Sequence, residues 1–118
     1  MIGSSFGGFL GARVALEYPI VRKLVLLNPA IIPPRANIDV LRGIPKRILA
    51  QMRDELLFNR RIAAETTILM ATRDEVVPPE WILNFARAQE ATVRFLHDNH
   101  DFSNNLTGLP RIISGILH

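Results

Sequence analysis

Apolar positions along this chain fall into two kinds of pattern that alternate. Residues 22–28, 66–71 and 92–97 are short runs rich in Leu, Val, Ile and Thr, the signature of strands buried on both faces of a parallel sheet. The segments between them carry helical spacing instead. Phe6–Glu17 places Phe6, Phe9, Leu10 and Val14 at helical intervals and is stopped by Pro19. Residues 44–58 repeat Ile44, Ile48, Met52 and Leu56 in steps of four. Pro79–Gln89 opens on a proline suited to a first helical turn and continues with Trp81, Ile82, Phe85 and Ala88. Leu109–Leu117 gathers Ile112, Ile113, Ile116 and Leu117 on one face. Strands separated by helices predict an α/β fold, a parallel sheet with flanking helices joined by right-handed crossovers. The longest irregular stretch, 29–45, contains Pro33-Pro34 and reads as a loop or lid-like segment over a site.

Composition narrows the class without changing that picture. At 118 residues, 48% of them hydrophobic, the chain suits one compact core that needs no metal or disulfide staple. No apolar run approaches the roughly 20 residues of a membrane helix, and the small-residue N-terminal segment lacks the basic start of a signal peptide. The absence of cysteine excludes a disulfide framework and a thiol nucleophile, and a cytoplasmic location is expected. The formal charge of +3 is spread over the chain. Its densest stretch, Lys46 to Arg61, is interrupted by Asp54 and Glu55 and reads as a solvated helix face, so neither nucleic acid nor membrane is an expected partner.

Three residues carry candidate chemistry. Gly3-Ser4-Ser5-Phe6-Gly7 matches G-x-S-x-G, in which a serine on a sharp strand-to-helix turn projects its Oγ clear of a strained backbone. Flanking glycines are expected because side chains there would collide, and Gly8 and Gly11 would let the following helix approach its sheet. The N–H of Phe6, next after the nucleophile, is the candidate oxyanion donor. No Gly-Lys-Ser/Thr or G-x-G-x-x-G accompanies the glycines, which removes the phosphate-loop and dinucleotide readings. Asp74 follows the second strand, at the sheet edge where catalytic groups collect; Glu75 is its neighbour and competitor. His100 follows the third strand on a loop, where an imidazole can reach a serine and take its proton. His97 remains in the strand by periodicity with a structural role, and His118 is terminal. His97, Asp98, His100 and Asp101 lack further converging ligands, so no metal site is expected. The order Ser, Asp, His is the one α/β-hydrolase triads follow.

The segments GSSFGGFLGARVALEYP, LVLLNPAIIPP and ILMATRDEVVPP, followed by Asn99-His100-Asp101-Phe102, together resemble small bacterial esterases of the YqiA-like type within the α/β-hydrolase superfamily. The resemblance is weakest from Ile38 to Glu65. It implies a serine hydrolase of esters or thioesters with Ser5, Asp74 and His100 as triad, no metal or organic cofactor, and a small-molecule substrate. The Asn28-Pro29-Ala30 turn also matches, placing Asn28 beside the site as an oxyanion or substrate-binding residue. Such enzymes have further strands ahead of the elbow, including a His-Gly loop with a second oxyanion donor, whereas this chain begins two residues before Gly3. Residues 1–118 therefore read as a single partial domain, the C-terminal half of the fold with about three to four strands. A truncated gene product and a homo-oligomer completing the sheet through an exposed edge both fit. So do two other activities: a catalytically silent assembly or binding module, and a lyase or haloperoxidase on the same scaffold.

Overall fold

A computed structural model describes residues 1–40 and 43–118. Four strands, β1 (Ile2–Ser4), β2 (Lys23–Leu27), β3 (Glu65–Arg73) and β4 (Thr92–Asn99), form one sheet in the order β1-β2-β3-β4. Every neighbouring pair is parallel. The helices are α1 (Phe6–Glu17), α2 (Lys46–Met52), α3 (Leu56–Asn59), α4 (Pro79–Gln89) and α5 (Leu109–Leu117), with a short 3₁₀ turn at Ile38–Val40.

Strand alternation sorts the core onto two faces. Leu24, Leu26, Ile68 and Met70 point to the side covered by α1 and α4, where Phe9, Ala12, Trp81, Ile82 and Phe85 complete the larger cluster. Val25, Leu27, Leu69 and Ala71 point the other way, against Leu109 and the isoleucines of α5. Near-continuous apolar strands are the consequence of a sheet covered on both sides. Among the described residues, no helix is long and apolar enough to cross a membrane.

The three strands and three of the helices predicted from the pattern appear, and four details differ. A short strand, β1, precedes the elbow, held by its pairing with β2 (Gly3 opposite Leu26). The predicted helix 44–58 is broken, because Arg53 leaves helical geometry to form a bridge with Ile32. Asp54 Oδ1 then accepts the Leu56 N–H (3.0 Å) and starts α3, and burial passes to Leu49, Met52 and Leu57 while Leu56 is exposed. In α1 the buried face is Gly8, Phe9, Ala12 and Ala15, whereas Phe6, Leu10 and Val14 remain exposed; small residues let this helix lie close to the sheet. Finally, the segment 29–45 begins in the core: Ala30, Ile31 and Ile32 are buried. Within it, Leu41 and Arg42 lie outside the described residues.

Candidate active site

Four of the candidate residues are each the first one after a strand. Ser5 follows β1, Asn28 follows β2, Asp74 follows β3 and His100 follows β4. Parallel strands all point the same way, so four residues spread over the chain meet at one edge of the sheet, where open α/β sheets place their ligands.

Ser5 has φ 53° and ψ −120°, a region sparsely populated by side-chain-bearing residues and costing on the order of 1–3 kcal/mol. Tertiary hydrogen bonds hold it there. Its N–H donates to the Leu27 carbonyl (3.0 Å) and its own carbonyl accepts the Ala30 N–H (2.9 Å). Glycine is required at position 3, where a Cβ would lie 2.4 Å from the Gly7 carbonyl oxygen. At Gly7 a Cβ would meet nothing within 4 Å, so the expected collision applies to one flank only. Gly8 is crowded by Pro29, at 2.8 Å from a built Cβ, whereas Gly11 stands at ordinary distances from Leu24 and Leu26. The start of α1 thus lies close both to Gly3 of β1 and, through Gly8, to Pro29 of the 28–30 turn. Phe6 opens α1, where a first-turn N–H has no intrahelical acceptor. Its N–H makes no other backbone hydrogen bond among the described residues.

His100 bridges the other two groups. Its Nε2 lies 2.9 Å from Ser5 Oγ and its Nδ1 2.9 Å from Asp74 Oδ2. The Asp74 side chain is 1% exposed and that of His100 14%. Asp74 Oδ1 accepts the N–H groups of Val76 (2.8 Å) and Val77 (3.0 Å), which aims the other oxygen at the imidazole. Burial pushes the Asp74 pKa upward, but the hydrogen bond from His100, those from Val77 and Val76, and the imidazolium charge outweigh it and leave the pKa below its ordinary value. For His100 the hydrogen bond to Asp74 raises the pKa, burial opposes it, and the charges of Asp74 and Asp101 add to the rise. A carboxylate kept ionised beside an imidazole with an Nδ1–H donor is the arrangement that fixes a tautomer and supports an imidazolium.

The remaining titratable candidates do not join this group. Glu75 and His97 are exposed, as is His118. Asp98 is fully buried, and both its oxygens serve the loop that carries His100. Oδ1 accepts the N–H of Asn99 (2.8 Å) and Asn104 (3.1 Å), and Oδ2 the Asn105 amide (2.7 Å). Burial would raise the Asp98 pKa; the Asn105 side chain and the surrounding N–H donors reverse that and lower it. Among the described residues no cluster of His, Asp and Glu suits a metal ion.

Asn28 occupies a different place from the one expected of a substrate-binding residue. It is fully buried, and its carboxamide turns inward to the Ala71 N–H and the His100 carbonyl, so it does not present these polar atoms to a substrate. The roles of Asn28 and Asp98 in bracing the loop escaped the sequence reading. The signal available was a run of turn-forming residues, Asp98 to Asn105, following an apolar strand.

Solved structures share this architecture. An alpha/beta-superfamily protein from Xanthomonas campestris pv. campestris is 23% identical, with TM-score 0.65 over 98% of this chain and 55% of its own. A variant of the meta-cleavage product hydrolase CumD from Pseudomonas fluorescens IP01 is 16% identical, with TM-score 0.75 over 98% of this chain and 63% of its own. Est1E from Butyrivibrio proteoclasticus is 20% identical, with TM-score 0.68 over 99% and 59%. The chain thus spans 55–63% of the length of these proteins and has the α/β-hydrolase fold over that part. No curated protein matches it by sequence. A family match covers residues 1–116, and on it the chain belongs to the uncharacterised protein family UPF0227.

Proposed function

We propose that this chain is a serine hydrolase of small carboxylic esters or thioesters, with Ser5 as nucleophile, His100 as general base and acid, and Asp74 as the group that orients His100. The observation that carries the reading is the unbroken relay Ser5 Oγ, His100 Nε2, His100 Nδ1, Asp74 Oδ2, with both hydrogen bonds at 2.9 Å. Its three members, from positions 5, 74 and 100, are brought to one edge by the parallel strands, and what supports chemistry beyond that placement is the mutual alignment of their side chains. The strained Ser5 backbone supports it further, since strain of this kind persists where surrounding contacts impose it and function uses it.

In this mechanism Ser5 Oγ attacks the substrate carbonyl while its proton moves to His100 Nε2. The tetrahedral oxyanion is held by the Phe6 N–H at the start of α1, where the helix end favours negative charge. Collapse expels the alcohol or thiol, which takes the proton from His100. Water then attacks the acyl-Ser5 ester as His100 removes its proton; the tetrahedral species collapses with cleavage of the bond to Ser5 Oγ, which takes the proton back from His100, and the carboxylic acid leaves. Asp74 stays ionised throughout.

The test is a fluorophosphonate probe with mass-spectrometric mapping. The expected result is one adduct, on Ser5, absent in Ser5→Ala, together with turnover of a p-nitrophenyl ester that falls roughly a thousandfold or more in Ser5→Ala and His100→Gln. Folded protein that takes no label and turns over no ester defeats the hydrolase reading and leaves a binding module on the same scaffold.

A further inference from the structure

Asn28 makes three hydrogen bonds that tie together the ends of two strands and the loop carrying the base. Its N–H donates to the Leu69 carbonyl (3.0 Å). Its Oδ1 accepts the Ala71 N–H (2.8 Å), and its Nδ2 donates to the His100 carbonyl (2.9 Å). Leu69 and Ala71 belong to β3, the strand that delivers Asp74. The residue itself has φ 41°, a left-handed conformation that Asn adopts more readily than most side-chain-bearing residues.

We infer that Asn28 is a positioning residue, docking the loop of His100 onto the strand of Asp74 and so setting the alignment of the imidazole between Asp74 and Ser5. Asp98 acts from the other side. It lies near the end of β4 and accepts from the Asn99 and Asn104 N–H groups and the Asn105 side chain, so it ties the loop to its own strand, whereas Asn28 ties it to β2 and β3. The β3–β4 ladder is also irregular at this point: its register shifts between Ala71 and Arg73, immediately before the strands release Asp74 and His100. A buried carboxamide that bonds to Ala71 on one side and His100 on the other bridges the place where the ladder is interrupted. The bond from Ala71 is buried and the one to the His100 carbonyl partly so, and leaving buried partners unpaired is costly.

The catalytic consequence rests on the hydrolase reading, but the alignment itself is measurable without turnover. In wild-type protein, NMR titration of the three histidines, assigned with His→Gln variants, is expected to find the His100 pKa raised. Asn28→Gly keeps the positive-φ backbone and deletes the carboxamide. The expected outcome is a His100 pKa that falls back toward the ordinary 6.5, with kcat down roughly 10²-fold and KM changed little. Asn28→Asp is the second variant, should the glycine variant not fold. It tolerates the backbone and keeps an acceptor for Ala71, but loses the donor to His100. Amide exchange is expected to accelerate in residues 99–105 while the Ala71 amide stays protected. A folded Asn28→Gly with an unshifted His100 pKa overturns the inference, as does Asn28→Asp with unchanged exchange in that loop. Absence of Ser5 labelling in wild-type protein, with these shifts present, would remove the hydrolase reading and leave the docking role standing.

Discussion

At the scale of the residue, the proton on His100 links geometry to pH. The Asp74 hydrogen bond holds that proton more tightly than in a free imidazole, burial loosens it, and the Asp74 and Asp101 charges tighten it again. The balance lies above the ordinary value of 6.5. A general base must be neutral to act, so kcat/KM is expected to rise with pH to a plateau, with its midpoint above 6.5. Asp101 is exposed and outside the relay, and Asp101→Asn removes one of the charges that raise the pKa; a pH–rate profile should then show the midpoint displaced to lower pH. Stability runs in the opposite sense. A raised histidine pKa contributes stability below the unfolded value and loses it as pH climbs through the folded one. The depressed pKa of Asp74 contributes above its unfolded value of 3.8 and loses it as pH falls through the folded value. Across neutral pH the His100 contribution to stability therefore fades while its competence as a base grows.

The elements meet at the elbow, and the two glycines flanking Ser5 make different demands on it. A methyl on Gly3 would press on the backbone of Gly7 and Gly8, which cannot yield without moving the start of α1 away from β1. Gly3→Ala is expected to destabilise the fold by roughly 1–3 kcal/mol, the range for overpacking. Gly7→Ala meets open space and gains the helix preference of alanine, up to about 1 kcal/mol. Urea unfolding of the two variants checks the contrast, and equal losses would contradict it. Elsewhere, buried Gln89 joins the end of α4 to α3 and the segment that follows it. Its Nε2 donates to the Leu57 and Arg60 carbonyls, and its Oε1 accepts the Ile62 N–H. Polar side chains facing the interior fix the angle between elements that apolar packing alone leaves adjustable.

At the scale of the whole molecule, β1 stands at one end of the described sheet with β2 as its strand neighbour, and Ile2 (52% exposed), Phe6 (45%), Leu10 (48%) and Val14 (39%) are exposed on β1 and α1. A strand edge left open beside exposed apolar side chains is a template for association. For a polypeptide of residues 1–118, sedimentation velocity at tens of micromolar is expected to find a dimer or larger species that Leu10→Glu dissociates. A monodisperse monomer with a cooperative melt would contradict that expectation. The triad reading does not depend on it, since Ser5, Asp74 and His100 meet within one chain.

Much of this protein was legible in its residues. Apolar runs and proline stops located β2, β3, β4, α1, α4 and α5, because strand and helix periodicities are local properties of the chain. The positions of Asp74 and His100 just past strand ends followed from the same pattern, and that of Ser5 from the G-x-S-x-G motif. Tertiary structure alone decided the rest. Whether 44–58 is one helix depended on Arg53 finding Ile32, and which face of α1 is buried depended on how closely small residues let it approach the sheet. The position of the loop that carries the imidazole depended on Asn28, whose partners lie on β3 and at His100, and on Asp98, which reaches forward to Asn104 and Asn105. Periodicity records which side of an element avoids water; only packing decides which elements meet, at what distance, and which buried polar groups are left to hold them.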